Sequence, residues 1–187
     1  MIKNFIRTDN QFSLCGLNCS LCPMQIRGEC LGCFKKSFCA QMCTIAPCSV
    51  KHGNVQYCFE CEEYPCEKYD GIDKYDSLIS HKNQKKDLAK AKQIGIDKYL
   101  AELTEKKRIL NHLLSKYDDG HREVFFCLAV NLMEIDDLNF VMKEADRETS
   151  TLTIDKKSDY IKQKLLFAAE EKGIHLQLRK MQPDDFS

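Results

Sequence analysis

The chain has two stretches that differ in how apolar and polar residues alternate. Residues 11–70 are punctuated by Cys, Gly and Pro and show little sustained periodicity, whereas residues 71–187 are rich in Lys, Leu, Ala and Glu, with apolar positions at helical spacing. The first stretch is too short to fold on an apolar core alone, and small domains of this kind recruit metals or disulfides. We therefore predict a small, irregular, cysteine-rich, metal-stabilised module over 11–70 and a mainly helical domain over 71–187.

Helical spacing and turn residues predict four helices in the second stretch. The first ends near Gly95, the second begins with Asp97 as its N-cap, and a turn containing Gly120 precedes the third. The predicted helices cover residues 80–94, 97–117, 122–133 and 136–148. The buried stripe predicted for the second helix consists of Leu100, Leu103, Leu110, Leu113, Leu114 and Tyr117.

A short strand–helix–strand is predicted at the end of the chain. TSTLTI, at 149–154, and IHLQL, at 174–178, have the β-branched content or strict alternation typical of strands. A helix over 158–172, stopped by Gly173, would connect them. With these two strands, the predicted fold class is α+β.

The chain length and apolar content do not change the predicted fold, but the apolar segments indicate in which cellular compartment we expect the protein. The 187 residues, of which 43% are apolar, suit one domain or two small ones. MIKNFIRTDNQF has no apolar core long enough for a signal peptide, and the run VFFCLAV is too short to span a bilayer. We therefore expect a cytoplasmic protein without membrane association. In a reducing cytosol, clustered cysteines indicate metal ligation or catalysis rather than disulfides.

Cysteine is the residue that carries the candidate chemistry. The chain has twelve cysteines, of which Cys127 alone stands apart, in an apolar segment where we expect it to be buried. Three pairs among the others have two intervening residues, a spacing that lets both thiolates reach one metal from a tight turn. The predicted metal ligands are Cys15, Cys19, Cys22, Cys30, Cys33, Cys39, Cys43, Cys48, Cys58, Cys61 and Cys66.

Zinc is the metal that this pattern favours, because it takes four thiolates tetrahedrally and a closed shell leaves no open position. The ligands predicted for a first site are Cys19, Cys22, Cys30 and Cys33. Those predicted for a second site are Cys58 and Cys61 with two of Cys39, Cys43, Cys48 and Cys66. We therefore predict two or three zinc ions per chain.

His52 is the only histidine in the cysteine-rich stretch. Two sites of four thiolates leave three cysteines, and one histidine would complete a third set of four ligands. The flanking residues Lys51, Gly53 and Asn54 favour a solvent-facing turn instead. From the sequence alone, both interpretations stay open.

An iron–sulfur cofactor is the alternative to zinc. Cys15, Cys19 and Cys22 have the spacing with which radical S-adenosylmethionine enzymes hold a four-iron cluster. Those enzymes need a large α/β barrel, whereas only more cysteines and short helical segments follow here. A simple iron–sulfur electron carrier is harder to exclude, because its clusters are also held by four thiolates. Thiolate spacing does not select uniquely between the two metals.

Three motifs of the cysteine-rich stretch resemble those of a known family. They are CGLNCSLCP at 15–23, CLGC at 30–33 and CFECEEYPC at 58–66. They are similar to the CGLxCxxCP, CxGC and CxxCxxYPC elements of a bacterial and archaeal family of cysteine-rich proteins, classed as a domain of unknown function and regarded as zinc-binding. The segment YDDGHREVFFCLAVNLMEIDDL is similar to a helical extension of some members. The resemblance implies a zinc-stabilised module joined to helices, and no known reaction.

A structural zinc module that presents a surface to an unidentified protein partner is the function that these patterns favour. Candidate contact residues are Phe34, Phe38, Tyr57 and Tyr64. We predict no catalytic residue, because the histidines outside the cysteine-rich stretch are scattered and no base partner for a thiol is evident. A thiol-based redox protein is an alternative, in which a surplus cysteine near Lys35 or Lys36 has a lowered pKa.

Nucleic-acid binding is the second alternative, and charge argues both for and against it. Although the net charge of the chain is zero, residues 82–116 carry ten Lys or Arg against four acids. Residues 11–70 carry five basic and six acidic side chains, and each zinc held by four thiolates adds a net charge of −2. The metal module would therefore repel phosphate, so this function is disfavoured.

Overall fold

The structure is a computed structural model and describes residues 5–33 and 37–181, without the side chain of Phe38. The chain forms two compact units. The first consists of residues 1–103 together with 178–187, and the second of residues 104–177. The predicted cysteine-rich module lies wholly in the first unit.

The first unit has short helices separated by cysteine-containing loops. Pro23 occupies the first turn of α1, where its missing N–H leaves no backbone bond unmade, and the Ser37 hydroxyl caps α2 by accepting from Ala40 N–H at 3.2 Å. The α-helices are α1 (Pro23–Ile26), α2 (Phe38–Met42), α3 (Ile45–Lys51) and α4 (Gln84–Ile94). Single 3₁₀ turns cover Cys19–Leu21, Cys58–Glu60 and Glu67–Tyr69.

Helix α4 packs directly on the first cysteine loop. Gly16 lies between Cys15 and Cys19 with a φ of +99°, and a Cβ at this position would stand 2.5 Å from Leu88 Cγ on α4. Only glycine therefore permits both the turn and this close approach. Leu88 is completely buried there, and Gln84 Nε2 donates to the Cys15 carbonyl oxygen at 3.0 Å.

An ion pair fixes residues 178–181 within the first unit. The buried Asp76 carboxylate accepts from the Arg179 guanidinium and from the Arg179 backbone N–H, both at 2.8 Å. The His81 backbone N–H donates to the same carboxylate at 2.7 Å. These charge-assisted hydrogen bonds join segments that are about 100 residues apart in sequence.

The second unit is a conventional helical core. Its helices are the part of α5 (Ile96–Tyr117) from residue 104 onward, α6 (Glu123–Leu132), α7 (Ile135–Glu148) and α8 (Ile154–Glu171). Helix α6 is buried from Phe126 to Leu132. Helices α7 and α8 pack on each other, Leu138 on α7 and Leu165 on α8 are fully buried, and Lys164 pairs with Glu144 at 2.8 Å.

The predicted helices are confirmed, with ends that either coincide with the prediction or differ from it by up to four residues. Helix α4 begins at Gln84 rather than at residue 80, and it ends before Gly95 as predicted. In the predicted stripe of α5, Leu103, Leu110, Leu113 and Tyr117 are buried, while Leu100 and Leu114 are half-buried. Helix α8 begins four residues earlier than predicted, with Thr153 as its N-cap.

The predicted α+β class is wrong, because the described residues contain no strand. Residues 149–154 form a turn and the start of α8, and the Thr149 hydroxyl donates to the Ala145 carbonyl oxygen at 2.7 Å. Residues 174–178 keep the predicted alternation of half-buried and exposed side chains but pair with no strand. Alternation predicts which side of a strand is buried, but not whether a partner is present to complete a ladder.

No helix among the described residues combines the length and the apolar character that a bilayer span requires.

Candidate metal centres

The structure places the eleven clustered cysteines around two separate cavities of the first unit. A cavity of about 80 Å³ is lined by what we call the seven-cysteine centre: Cys15, Cys19, Cys22, Cys30, Cys33, Cys39 and Cys43. A cavity of about 30 Å³ is lined by the four-cysteine centre: Cys48, Cys58, Cys61 and Cys66. All twelve cysteines are reduced and none forms a disulfide.

The grouping of the cysteines around two cavities shows which of them lie with Cys58 and Cys61, which their spacing in the sequence did not determine. The four cysteines predicted for the first site all line the larger cavity. Of the four candidates for completing the second site, Cys48 and Cys66 lie with Cys58 and Cys61, whereas Cys39 and Cys43 lie in the seven-cysteine centre. The structure therefore brings together one set of four thiols and one set of seven.

Backbone N–H groups point at several sulfurs of the seven-cysteine centre. The Gly32 N–H donates to Cys30 Sγ and the Ala46 N–H donates to Cys43 Sγ, each at 3.3 Å. Burial raises the pKa of the Cys22 thiol, and hydrogen bonds from the backbone N–H groups of Met24 and Gln25 partly oppose this rise. Hydrogen bonds of this kind favour a negatively charged sulfur. The short helices and turns therefore provide partners for thiolates as well as positions for them.

Burial acts in the opposite direction on the same thiols. It raises the pKa of Cys33 to about 12 and that of Cys39 to about 11, and the charges of neighbouring thiols add to the rise. In the four-cysteine centre, burial raises the pKa of Cys58 to about 12. These thiols are therefore protonated at neutral pH in the absence of a cation, and a bound metal would have to displace their protons.

The four-cysteine centre is assembled from one helix and two turns. Cys48 lies on α3, Cys58 begins a 3₁₀ turn that Cys61 follows directly, and Cys66 immediately precedes the turn Glu67–Tyr69. A hydrogen bond from Tyr69 lowers the pKa of Cys58, opposing its burial. The four sulfurs thus come from chain segments that local hydrogen bonds already shape.

His52 also lines the four-cysteine cavity. Its Nδ1 lies 2.9 Å from the Cys48 carbonyl oxygen and 3.5 Å from Cys48 Sγ, while its Nε2 lies 3.2 Å from Glu63 Oε1. The hydrogen bond with the Cys48 carbonyl, followed by that with Glu63, raises the pKa of the imidazole. Sequence reasoning missed this Glu63–His52–Cys48 chain, although the four-residue spacing of Cys48 and His52 on a helix was a signal for it.

Arg7 is a buried cation beside the seven-cysteine centre. It is 6% exposed, its Nη2 donates to the Phe12 carbonyl oxygen at 2.6 Å, and its guanidinium lies 4.7 Å from the centre of the Tyr57 ring. Among the described residues, its Nε and Nη1 have no hydrogen-bond partner and no carboxylate pairs with it. Its charge lowers the pKa of Cys33. A buried cation of this kind fits an anionic group nearby.

The thiols of each centre line a common cavity, but their sulfurs do not form a metal-coordinating arrangement. In the described parts of the chain, which include both centres, no three His, Cys, Asp or Glu side chains stand in an arrangement that could hold a metal ion. The donor set nevertheless fits a thiophilic cation, because reduced sulfurs are grouped together and backbone N–H groups donate to some of them. The buried guanidinium of Arg7 adds a positive charge that suits an anionic metal–thiolate centre.

The aromatic residues proposed as partner contacts separate into different roles. Tyr57 is buried and stacks on Phe12 and Phe59, with ring centres 5.6 Å and 5.4 Å apart, so it belongs to the core. Tyr64 is half-buried against Tyr69. The predictions that concern Phe34, Lys35, Lys36 and the side chain of Phe38 lie outside the described residues.

The basic stretch 82–116 is partly neutralised by its neighbours. Lys85 pairs with Asp73, Lys90 with Glu102, Arg108 with Glu105 and Lys116 with Asp146. Four of its ten basic residues are therefore compensated locally. This pairing weakens the case for a phosphate-binding surface.

Cys127 lies on α6 in the second unit and is buried, as predicted. It takes part in neither centre. Comparisons of the chain with protein-family models, with curated proteins and with solved structures found no match. The resemblance to the cysteine-rich family therefore stays a prediction from its motifs.

Proposed function

We propose that the first unit is a structural zinc module in which the seven-cysteine and four-cysteine centres cross-link loops that have little apolar core. The observation that carries this proposal is the grouping of eleven reduced cysteines around two cavities. A cluster of protonated thiols has no structural advantage over ordinary apolar residues, whereas thiolates on a cation join distant segments. The module has no catalysed reaction of its own.

Zinc supplies a fixed tetrahedral cross-link without redox chemistry when four thiolates hold it. Cys48, Cys58, Cys61 and Cys66 would form one such closed shell around the cavity that all four line. His52 is then an outer hydrogen-bond partner of Cys48 rather than a ligand, because its Nδ1 is engaged by the Cys48 carbonyl and its Nε2 by Glu63. A closed shell leaves no position for a substrate.

The test is elemental analysis and visible absorption of protein purified without oxygen. Colourless protein with zinc in both centres is the expected result, and the Cys58→Ser variant should lose metal. Cys127→Ala is the matched control, because this cysteine lies in the second unit and should leave the metal content unchanged. Brown protein containing iron would overturn the zinc assignment, and protein without any metal would overturn the proposal as a whole.

The proposal includes a protein partner that contacts the metal module. Leu31 and Met42, which lie next to or between cysteines of the seven-cysteine centre, are 59% and 78% exposed. Exposed apolar side chains on a rigid cross-linked surface are typical of contact residues. They replace Tyr57 as the contact candidates, since Tyr57 is buried.

A double variant, Leu31→Glu with Met42→Glu, tests the partner surface. It should keep the metal content and the unfolding temperature but lower recovery of a specific partner by about tenfold or more, as measured by quantitative pull-down. Ile154→Glu, at an exposed apolar position of the second unit, is the control. Equal recovery of every bound protein by wild type and both variants would contradict this part of the proposal.

A further inference from the structure

The larger cavity holds more sulfurs than one ion can use. A single tetrahedral zinc takes four thiolates, which would leave three thiols of the seven-cysteine centre without a role. Two separate tetrahedral ions would need eight ligands, one more than are present. Two tetrahedra that share one corner need seven.

We infer that the seven-cysteine centre holds two zinc ions bridged by one shared thiolate, so that the chain binds three zinc ions in all. This inference rests on the proposed function and specifies its stoichiometry. Seven sulfurs serve the bridged pair and four serve the single ion, so all eleven clustered cysteines are ligands and no histidine is required. Each thiol gives up its proton to solvent when it binds zinc as a thiolate, and no electron is transferred.

The two cavities differ in the same direction as the proposed number of ions. The seven-cysteine cavity is about 80 Å³ and the four-cysteine cavity about 30 Å³, so the centre with more sulfurs also encloses more space. Among the described residues, no carboxylate or histidine lines the larger cavity, so its thiols are the candidate anionic ligands there.

Charge also favours a strongly anionic centre beside Arg7. Two zinc ions with seven thiolates carry a net charge of −3, whereas one zinc with four thiolates and three neutral thiols carries −2. The buried Arg7, which has no carboxylate partner among the described residues, acts on Cys33 and so offsets part of this charge. Its two unpartnered nitrogens fit an anionic neighbour better than a neutral one.

The experiment is ¹¹³Cd substitution of the full chain, because cadmium takes tetrahedral thiolate sites and its nuclei couple through a shared sulfur. We expect three resonances from wild type, two of them coupled to each other and one uncoupled. The Cys58→Ser variant should lose the uncoupled resonance and keep the coupled pair. Metal content by mass spectrometry should be three zinc ions per chain for wild type.

Variants within the larger centre test the bridge. Among the seven single Cys→Ser variants of this centre, we expect the one at the bridging position to keep both ions but lose the coupling, whereas Cys127→Ser, at a cysteine outside both centres, should leave all three resonances unchanged. Coupling that persisted in every one of the seven variants would overturn the shared thiolate. Two uncoupled resonances in wild type would overturn the bridged pair but leave the structural metal module intact. Absence of bound metal, or iron with visible colour, would overturn the proposed function itself.

Discussion

The two units of this protein reach a folded state by different physical means. The second unit buries whole helix faces, with residues such as Phe126, Leu138 and Leu165 fully removed from solvent. The cysteine-rich stretch of the first unit has short helices of four to seven residues and a small apolar cluster around Phe12 and Leu14. Apolar burial can offset chain entropy in the second unit, whereas the proposed metal centres would add cross-links to the first. The difference predicts that metal controls one unit and packing the other.

Metal removal should have the largest effect and should be confined to the first unit. Structural zinc contributes on the order of 10 kcal/mol of folding free energy per ion in small modules. Treatment with a chelator and a reductant should therefore unfold residues 11–70 while α6 to α8 stay folded. Hydrogen exchange read by mass spectrometry should show protection lost in 11–70 and kept in 123–171. Readdition of zinc is the control, and unchanged protection in 11–70 after verified metal loss would show that packing alone holds this stretch.

Removal of an aromatic side chain from the core of the second unit should destabilise that unit and leave the first unit unaffected. Phe126→Ala removes a fully buried ring from α6 and should lower the free energy of unfolding of the second unit by about 3–5 kcal/mol. Metal content should not change. Phe140→Ala, at a phenylalanine of α7 that is 70% exposed, should change stability by no more than about 0.5 kcal/mol. Urea titration measures both, and loss of metal from Phe126→Ala would break the separation of the two units.

The sequence predicted the parts of this protein that depend on local interactions. The ends of α4 at Gly95 and of α5 at Tyr117 are set by nearby residues, and both were predicted correctly. The segments 149–154 and 174–178 were misassigned because a strand needs a distant partner, which local alternation does not reveal. The predicted buried stripe of α5 is largely present because helical spacing alone fixes which face it forms.

For the candidate metal centres, too, the sequence predicted what depends on local spacing but not what depends on distant contacts. Spacing predicted that Cys19, Cys22, Cys30 and Cys33 belong together, and all four line one cavity. It offered Cys39 and Cys43, beside Cys48 and Cys66, as candidates to complete the second site, but the structure places Cys39 and Cys43 in the other centre, because loop segments of this length can turn toward either. Arg7 was not singled out at all, since a single arginine far from any motif has no sequence signal, and its significance lies in its burial.

A substitution at Gly16 tests how much the packing of α4 on the cysteine loop stabilises the first unit. Gly16→Ala would place a Cβ 2.5 Å from Leu88 Cγ in a left-handed conformation, so we expect a loss of about 2–4 kcal/mol in the unfolding free energy of the first unit. Gly28→Ala is the matched control, since Gly28 is also left-handed, with a φ of +75°, but has nothing within 4 Å of the added atom. It should cost about 1 kcal/mol. Equal losses in chemical denaturation would show that α4 does not pack closely on the cysteine loop.

The smallest of these effects should come from the ion pair between Asp76 and Arg179. Burial alone would raise the pKa of Asp76, but hydrogen bonds from the Arg179 side chain and backbone and from the His81 N–H lower it to about 2. An unfolded aspartate titrates near pH 4, so the pair stabilises the fold above that pH and loses its contribution as the pH falls toward 2. Since Arg179 is 40% exposed and screened by solvent, we expect about 1–2 kcal/mol.

Acid also releases metal from thiolates, so the pair must be measured as a difference. The free energy of unfolding of wild type minus that of Asp76→Asn should be about 1–2 kcal/mol at pH 6 and should shrink below pH 4, because metal release is common to both proteins. Asp73→Asn, which removes the partner of Lys85 at the surface, is the control and should give a smaller difference. A difference for Asp76 that stayed constant down to pH 2 would mean that its charge does not stabilise the fold, leaving the metal centres as the main cross-links of the first unit.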